Sequence, residues 1–188
     1  MYSEWLTEQI GEMHDDQIKN KIIYSPSKII QYLGRKIDNT NSICYWAYKN
    51  SIPIFSPAFT DGLFGDVLYV YGKERPGFIV DLTQDIRGMN REPLTSKKTG
   101  CIVLGGGLIK HHILNANLMR NGTDFAVFVN TGQEFDGSDA GAKPQEALSW
   151  GKLRLDCDFV KISAEATMAF PFLVSQSFAK NKAKASKL

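Results

Sequence analysis

Asn130–Lys152, NTGQEFDGSDAGAKPQEALSWGK, is where this sequence brings chemically capable side chains closest together. Glu134, Asp136 and Asp139 lie among Gly132, Gly137 and Gly141, with Ser138 between two of them. Pro144 is placed to open a short helix, and Glu146, Trp150 and Lys152 close the segment. Carboxylates on a glycine-rich loop suit a ligand that carries ammonium groups. The lysine beside the indole has two readings. It is an exposed cation past a helix end, complementing the helix dipole, or a desolvated amine that attacks a carbonyl or imine carbon.

A second group lies upstream. Gly105-Gly106-Gly107 joins a predicted strand to a predicted helix, either as a tight turn or as a place where backbone approaches a phosphate. His111 and His112 follow in the first helical turn. Neighbouring helical side chains point about 100° apart, so the pair does not easily share a metal ion, and one of the two faces any site. Asn115 is one turn beyond His111, on the same face. Asp61, Asp66, Asp136, Asp139 and Glu146 all fall in or just after loops predicted at strand ends. Helix capping and turn chemistry explain any one of them. As a set they line one edge of a sheet and could neutralise a polyvalent cation.

The elements that must hold these residues follow from periodicity. Residues 2–14 carry Trp5, Leu6, Ile10 and Met13 on one helical stripe. Ser25-Pro26 predicts a capped helix over Ser27–Ile37, and Ile43–Tyr48 reads as a short helix. Helices are also predicted at Leu63–Tyr71, Leu82–Asn90, Leu108–Arg120 and Met168–Lys180, the last with Pro171 in its first turn. Strands are predicted at Ile52–Phe55, Phe78–Asp81, Cys101–Leu104, Asp124–Val129 and Phe159–Ala164. Strands separated by helices imply a parallel sheet, so the expected class is α/β, a doubly wound, Rossmann-like parallel sheet flanked by helices. Residues 1–50 are a helical lead-in of the same domain, and 51–188 hold the sheet and a basic tail. Opening on helices rather than a strand suggests that the lead-in packs against something outside this chain.

Composition removes several classes. The 188 residues are 43% hydrophobic and 22% charged, as in globular proteins, and no run reaches the ~20 apolar residues of a membrane span. The opening MYSEWLTEQIGEMHDD is acidic and amphipathic, unlike a secretory or organelle signal, so cytoplasmic residence is expected. Net charge is +2, but Lys180, Lys182, Lys184 and Lys187 stand in a tail without acids, so the body is mildly acidic and has no nucleic-acid footprint. Cys44, Cys101 and Cys157 are odd in number and far apart, which argues against a disulfide framework or a zinc site, and Cys101 and Cys157 each open an apolar run, as buried thiols do. No metal site is expected. There is no dinucleotide fingerprint, Walker motif, GxSxG or Ser-His-Asp order.

FSPAFTDG at 55–62, GGGLIKHHILNANLMRNG at 105–122 and NTGQEFDGSDAGAKPQEALSWGK at 130–152 together closely resemble deoxyhypusine synthase. The resemblance runs from about Tyr2 to Ala179 but covers only the carboxyl-terminal half of that enzyme. It implies NAD-dependent transfer of a 4-aminobutyl group from spermidine to one lysine of translation initiation factor 5A. Spermidine loses a hydride to NAD, the resulting imine loses 1,3-diaminopropane, and the butyl fragment rests as an imine on an enzyme lysine. That fragment then passes to the substrate lysine and is reduced by the retained hydride. By matching motifs, Lys152 is the enzyme lysine and His111 the acid/base group. Asp66, Asn115, Gly137, Ser138, Asp139, Glu146 and Trp150 form the polyamine slot, where the indole adds an apolar wall and a cation–π face. Asp61, Gly106, Thr131, Gly132, Asp136 and Glu165 lie along NAD. Glu165 departs from the family's usual aspartate, Gly132 from its alanine, and Leu63 and Ala140 from its serines.

The resemblance further implies NAD contacts and polyamine-site acids on an amino-terminal half of similar size, and active sites between subunits of a tetramer. The chain is therefore expected to act with an amino-terminal half, as a cleaved precursor or a split enzyme, or else to be an expressed fragment. The competing reading is a non-catalytic paralogue that activates or scaffolds a competent subunit. Retention of Lys152, His111, Trp150 and the acidic set favours the enzyme. A generic nucleotide-binding module is disfavoured by the missing fingerprint.

Overall fold

The computed structural model describes residues 2–181, so Lys182, Lys184 and Lys187 of the basic tail lie outside the described residues. The chain divides between Met89 and Asn90 into two compact units.

The first unit is helical: α1 (Tyr2–Asn20), α2 (Pro26–Ile37), α3 (Ile43–Lys49), α4 (Leu63–Glu74) and most of α5 (Leu82–Thr95), which runs past the boundary. Ser25 caps α2, its hydroxyl accepting from the Lys28 N–H, with Pro26 at the first helical position. Leu6, Ile10 and Met13, one stripe of α1, are buried with Tyr24, Ile29, Phe59, Val67 and Tyr71. That face of α1 is thus buried inside its own unit, against α4 in particular. The strands expected at Ile52–Phe55 and Phe78–Asp81 do not form. Pro53 deprives the first of a backbone donor. In the second, the Gln17 side-chain amide donates to the Ile79 carbonyl and accepts from its N–H, both at 2.9 Å. Only a single parallel bridge, Tyr24 to Val80, remains.

The second unit is α/β. In order it holds β1 (Gly100–Leu104), α6 (Leu108–Leu118), β2 (Thr123–Asn130), a 3-10 turn (Glu134–Asp136), α7 (Pro144–Ser149), β3 (Leu153–Ser163) and α8 (Ala166–Val174), which passes into a π turn at Ser175–Ala179. The strands form a parallel sheet in the order β1-β2-β3, flanked by helices. Its core is Cys101, Val103, Leu114, Ala126, Phe128, Ala147 and Leu153. β3 begins six residues earlier than expected. Thr123 pairs with Leu153 and Phe125 with Asp158, so the residues between bulge out of the ladder and Leu155 is 95% exposed. α8 starts at Ala166, because the Glu165 carboxylate accepts from the Thr167 and Met168 N–H groups. Pro171 therefore lies inside the helix rather than in its first turn.

Burial pushes the Cys101 thiol up, as expected of an inert core cysteine, whereas Cys44 and Cys157 are only half-buried. Among the described residues no helix is long and apolar enough to cross a membrane, and no three His, Cys, Asp or Glu side chains are grouped to hold a metal ion.

At the opposite end of the strands from the glycine-rich loops, Asp124 organises a polar knot. Its carboxylate accepts from Arg120 at 2.6 Å and from the Thr99 N–H at 2.9 Å, while Arg120 also donates to the Thr99 hydroxyl and the Lys97 carbonyl. The Arg120 hydrogen bond, followed by that from the Thr99 backbone, holds Asp124 below the ordinary value of 3.8. A carboxyl depressed on folding stabilises at neutral pH, and that contribution is lost as pH falls from about 3.8 through the lowered folded value. Asp124→Asn is expected to melt lower than wild type at pH 7, with the difference shrinking below pH 4 in thermal melts recorded across pH.

Candidate active site

The loops after all three strands meet at the carboxyl end of the sheet, where open parallel sheets bind ligands. The Gly105 N–H donates to the Val129 carbonyl at 2.8 Å, and the Ala164 N–H to the Asn130 carbonyl at 3.1 Å. These bonds align the turn after β1 and the start of the β3–α8 connection with the end of β2. The segment after β2 then folds back on itself. A Cβ on Gly106 would stand 2.3 Å from the Ala140 Cβ, and one on Gly141 would stand 2.1 Å from the Gln133 carbonyl oxygen. Glycine at 106 and 141 is required by these close approaches.

Beside this loop is a cleft of about 470 Å³, walled by α6, the 139–143 loop and α7. Lys152, His111, Asn115, Asp139, Glu146 and Trp150 line it together, and Gly137 and Ser138 line an adjoining cavity that shares Asp139 and Glu146. His111 and Asn115, one turn apart, are joined at 3.1 Å between the Asn115 amide nitrogen and His111 Nδ1. With the amide donating, a neutral ring carries its proton on Nε2. His112 is not part of the cleft lining.

Lys152 is set by a helix-ending motif. α7 stops at Ser149; the Gly151 N–H donates to Leu148 and the Lys152 N–H to Ala147, both at 2.9 Å, with Gly151 left-handed at φ +71°. This is the Schellman arrangement, in which the residue after the left-handed glycine is pinned back onto the last turn. Lys152 is pinned from the other side too, its carbonyl accepting from the Thr123 N–H at 3.1 Å. β3 starts one residue later. The lysine is half-buried and the indole of Trp150 is 65% exposed.

The residues expected along NAD are placed differently. Gly106, Thr131, Gly132, Asp136 and Glu165 stand on the loops at the strand ends rather than in the cleft. Asp136 closes a capping box on the 3-10 turn, accepting from the Gln133 N–H at 2.8 Å, and Glu165 caps α8. Asp61 and Asp66 belong to the first unit. Asp61 accepts from the Gly62 N–H at 3.0 Å, and Asp66 is exposed in the first turn of α4, in a groove with Glu4 and Glu8.

Lys110, Lys143 and Lys161 escaped the sequence reading. Lys110 and Lys143 line the cleft, and Lys161 Nζ donates to the Gly141 carbonyl at 2.8 Å. Lys143 pairs with Glu134 at 2.9 Å. The signal for Lys110 was present: with Leu114 and Asn117 it falls on the buried stripe of α6.

A parallel α/β unit with a cleft at its strand ends that combines carboxylates, an imidazole, an indole and a pinned lysine has the features of an enzyme active site. The deoxyhypusine synthase family model matches residues 1–177, and the chain belongs to that family. It is 52% identical over 180 residues to a deoxyhypusine synthase of Senecio vernalis, covering 95% of this chain and 48% of that protein. It is 49% identical over 191 residues to homospermidine synthase 2 of the same plant, covering all of this chain and 52% of that protein. A crystal structure of a candidate deoxyhypusine synthase from Entamoeba histolytica superposes with a TM-score of 0.74 at 40% identity, over 94% of this chain and 54% of that one. The chain thus spans about half the length of the relatives it matches.

Gly151→Ala would force a side chain into the left-handed region, at a cost of about 1–2 kcal/mol. The expected result is a lower urea midpoint with unchanged slope, measured by equilibrium unfolding.

Proposed function

We propose that this chain carries the catalytic-lysine part of a deoxyhypusine synthase, transferring the 4-aminobutyl group of spermidine to one lysine of translation initiation factor 5A. The observation that carries this is the convergence of Lys152, His111, Asn115, Asp139, Glu146 and Trp150 on one cleft. The carboxylates of Asp139 and Glu146 attract a polyamine's ammonium groups. Trp150 supplies an apolar face for methylenes and a π face for cations. His111, which lines the same cleft, takes and returns a proton on the reacting amine. The free amine of Lys152 attacks the imine carbon of oxidised spermidine, 1,3-diaminopropane leaves, and the butyl fragment is held on Nζ until the acceptor lysine replaces it.

NAD fits the glycine turn. α6 begins without a side-chain cap, behind Gly105 and Gly107 at φ +82° and +65°, and a Cβ at either position would meet no atom within 4 Å. An uncapped helix N-terminus behind open backbone suits a pyrophosphate. Bound there, NAD supplies the hydride acceptor and donor. Thr131, Gly132, Asp136 and Glu165 stand on the neighbouring strand-end loops, while Asp61 and Asp66 enter this reading through the family resemblance. The remainder of the family fold, on this polypeptide or on an amino-terminal partner chain, supplies further contacts in a cytoplasmic oligomer with active sites between subunits.

The identity to a homospermidine synthase favours a second reading, in which the acceptor is a free diamine. Lys152→Ala in the complete assembly is expected to abolish transfer to either acceptor while spermidine binding persists. Undiminished transfer would make this a scaffold chain. Parallel assays with the protein acceptor and with putrescine distinguish the two enzymes.

A further inference from the structure

Lys110 is 7% exposed, and among the described residues no other lysine or arginine is buried. A buried ammonium needs acceptors and opposite charge. Its Nζ donates to the Asp139 carbonyl oxygen and lies 6.0 Å from the centre of the Phe128 ring. The carboxylates of Asp139 and Glu146 favour its charge, and the ammonium groups of Lys161 and Lys152 oppose it; burial dominates and pushes the lysine down. Neither the proposed chemistry nor the turn geometry of α6 calls for a cation at this position.

The contact gains meaning from a second one. Lys161, on β3, donates to the Gly141 carbonyl at 2.8 Å. Two ammonium groups, one from α6 and one from the sheet, therefore hold two alternate carbonyls of a single loop tip. Between them the chain makes a tight turn, with the Gly141 and Ala142 N–H groups donating to the Ser138 carbonyl at 3.0 and 3.2 Å. Asp139 stands on this tip and lines both the cleft and the adjoining cavity. Lys110 also precedes His111 on α6, so one helical turn carries both the proposed proton-transfer group and the loop anchor.

We propose that Lys110 and Lys161 are positioning residues that clamp the Ser138–Ala142 turn and preform the place of Asp139 for a cationic substrate. The inference rests on the reading of the cleft as a polyamine site. A charged donor holds a carbonyl more firmly than a neutral one, and it lets an acidic loop remain seated before its ligand arrives.

The test compares Lys110→Met, Lys110→Arg and Lys161→Met in the complete assembly, by hydrogen–deuterium exchange of the 137–142 amides and by steady-state kinetics with spermidine. In Lys110→Met the loop amides should exchange about tenfold faster or more, the order set by losing a hydrogen bond from a charged group. The KM for spermidine should rise by a similar factor while kcat changes much less. Lys110→Arg should recover both partly, and Lys161→Met should move both the same way. Wild-type exchange in Lys110→Met, or a fall in kcat at unchanged KM, would overturn the clamp. Should Lys110→Met not assemble, Lys161→Met decides by the same two criteria. Exchange needs no catalysis, so full transfer by Lys152→Ala would sink the enzymatic reading while leaving the clamp to stand or fall on the loop amides.

Discussion

The site depends on how the backbone after β2 is made to return over the ends of the strands. A parallel sheet directs its carboxyl ends to one edge, and the connections must leave that edge without orphaning their polar groups. Here Gly105 and Ala164 donate to the last carbonyls of β2, so the three exits are knitted together. The space left above them is small enough that Gly106 meets Ala140 and Gly141 meets Gln133, and only glycine permits that approach. Everything proposed for the cleft follows from the loop being held there.

The second constraint is electrostatic. The carboxylates gathered along this loop repel one another unless cations are interspersed. The protein supplies its own: Lys143 pairs with Glu134, Lys110 lies under Asp139, and Lys161 reaches the Gly141 carbonyl. The same contacts that seat the loop keep its acids from driving it apart. The surface pair, with both partners more than half exposed, adds little to stability. The buried lysine is different, because leaving its ammonium without acceptors would be costly.

At the far end of the strands, the Arg120–Asp124–Thr99 knot ties the entrance of β1 to that of β2. The parallel register is therefore secured at both ends, by polar side chains where chemistry is absent and by backbone contacts and glycines where it is proposed. Such a division lets the strand-end loops carry ligand groups while the sheet keeps its alignment.

The sequence by itself determined the local features. Ser25-Pro26 determined the start of α2, apolar stripes the helices, apolar runs the three strands of the second unit, and Trp150-Gly151-Lys152 a helix stop with a lysine behind it. Those signals are local because caps, periods and left-handed glycines act within a few residues. The convergence of His111, Asn115, Asp139, Glu146, Trp150 and Lys152 was legible only through the motifs' family resemblance, since nothing local brings residue 111 to residue 152. Tertiary structure alone decided the rest. Whether 78–81 forms a strand depended on Gln17 taking its backbone groups. β3 could not be seen to begin at Leu153, because its first pairing is with Thr123 and the residues that follow bulge away. The role of Lys110 lay hidden for the same reason: a lysine on an apolar stripe is explained only by the carbonyl it meets, and that carbonyl comes from 29 residues further along the chain.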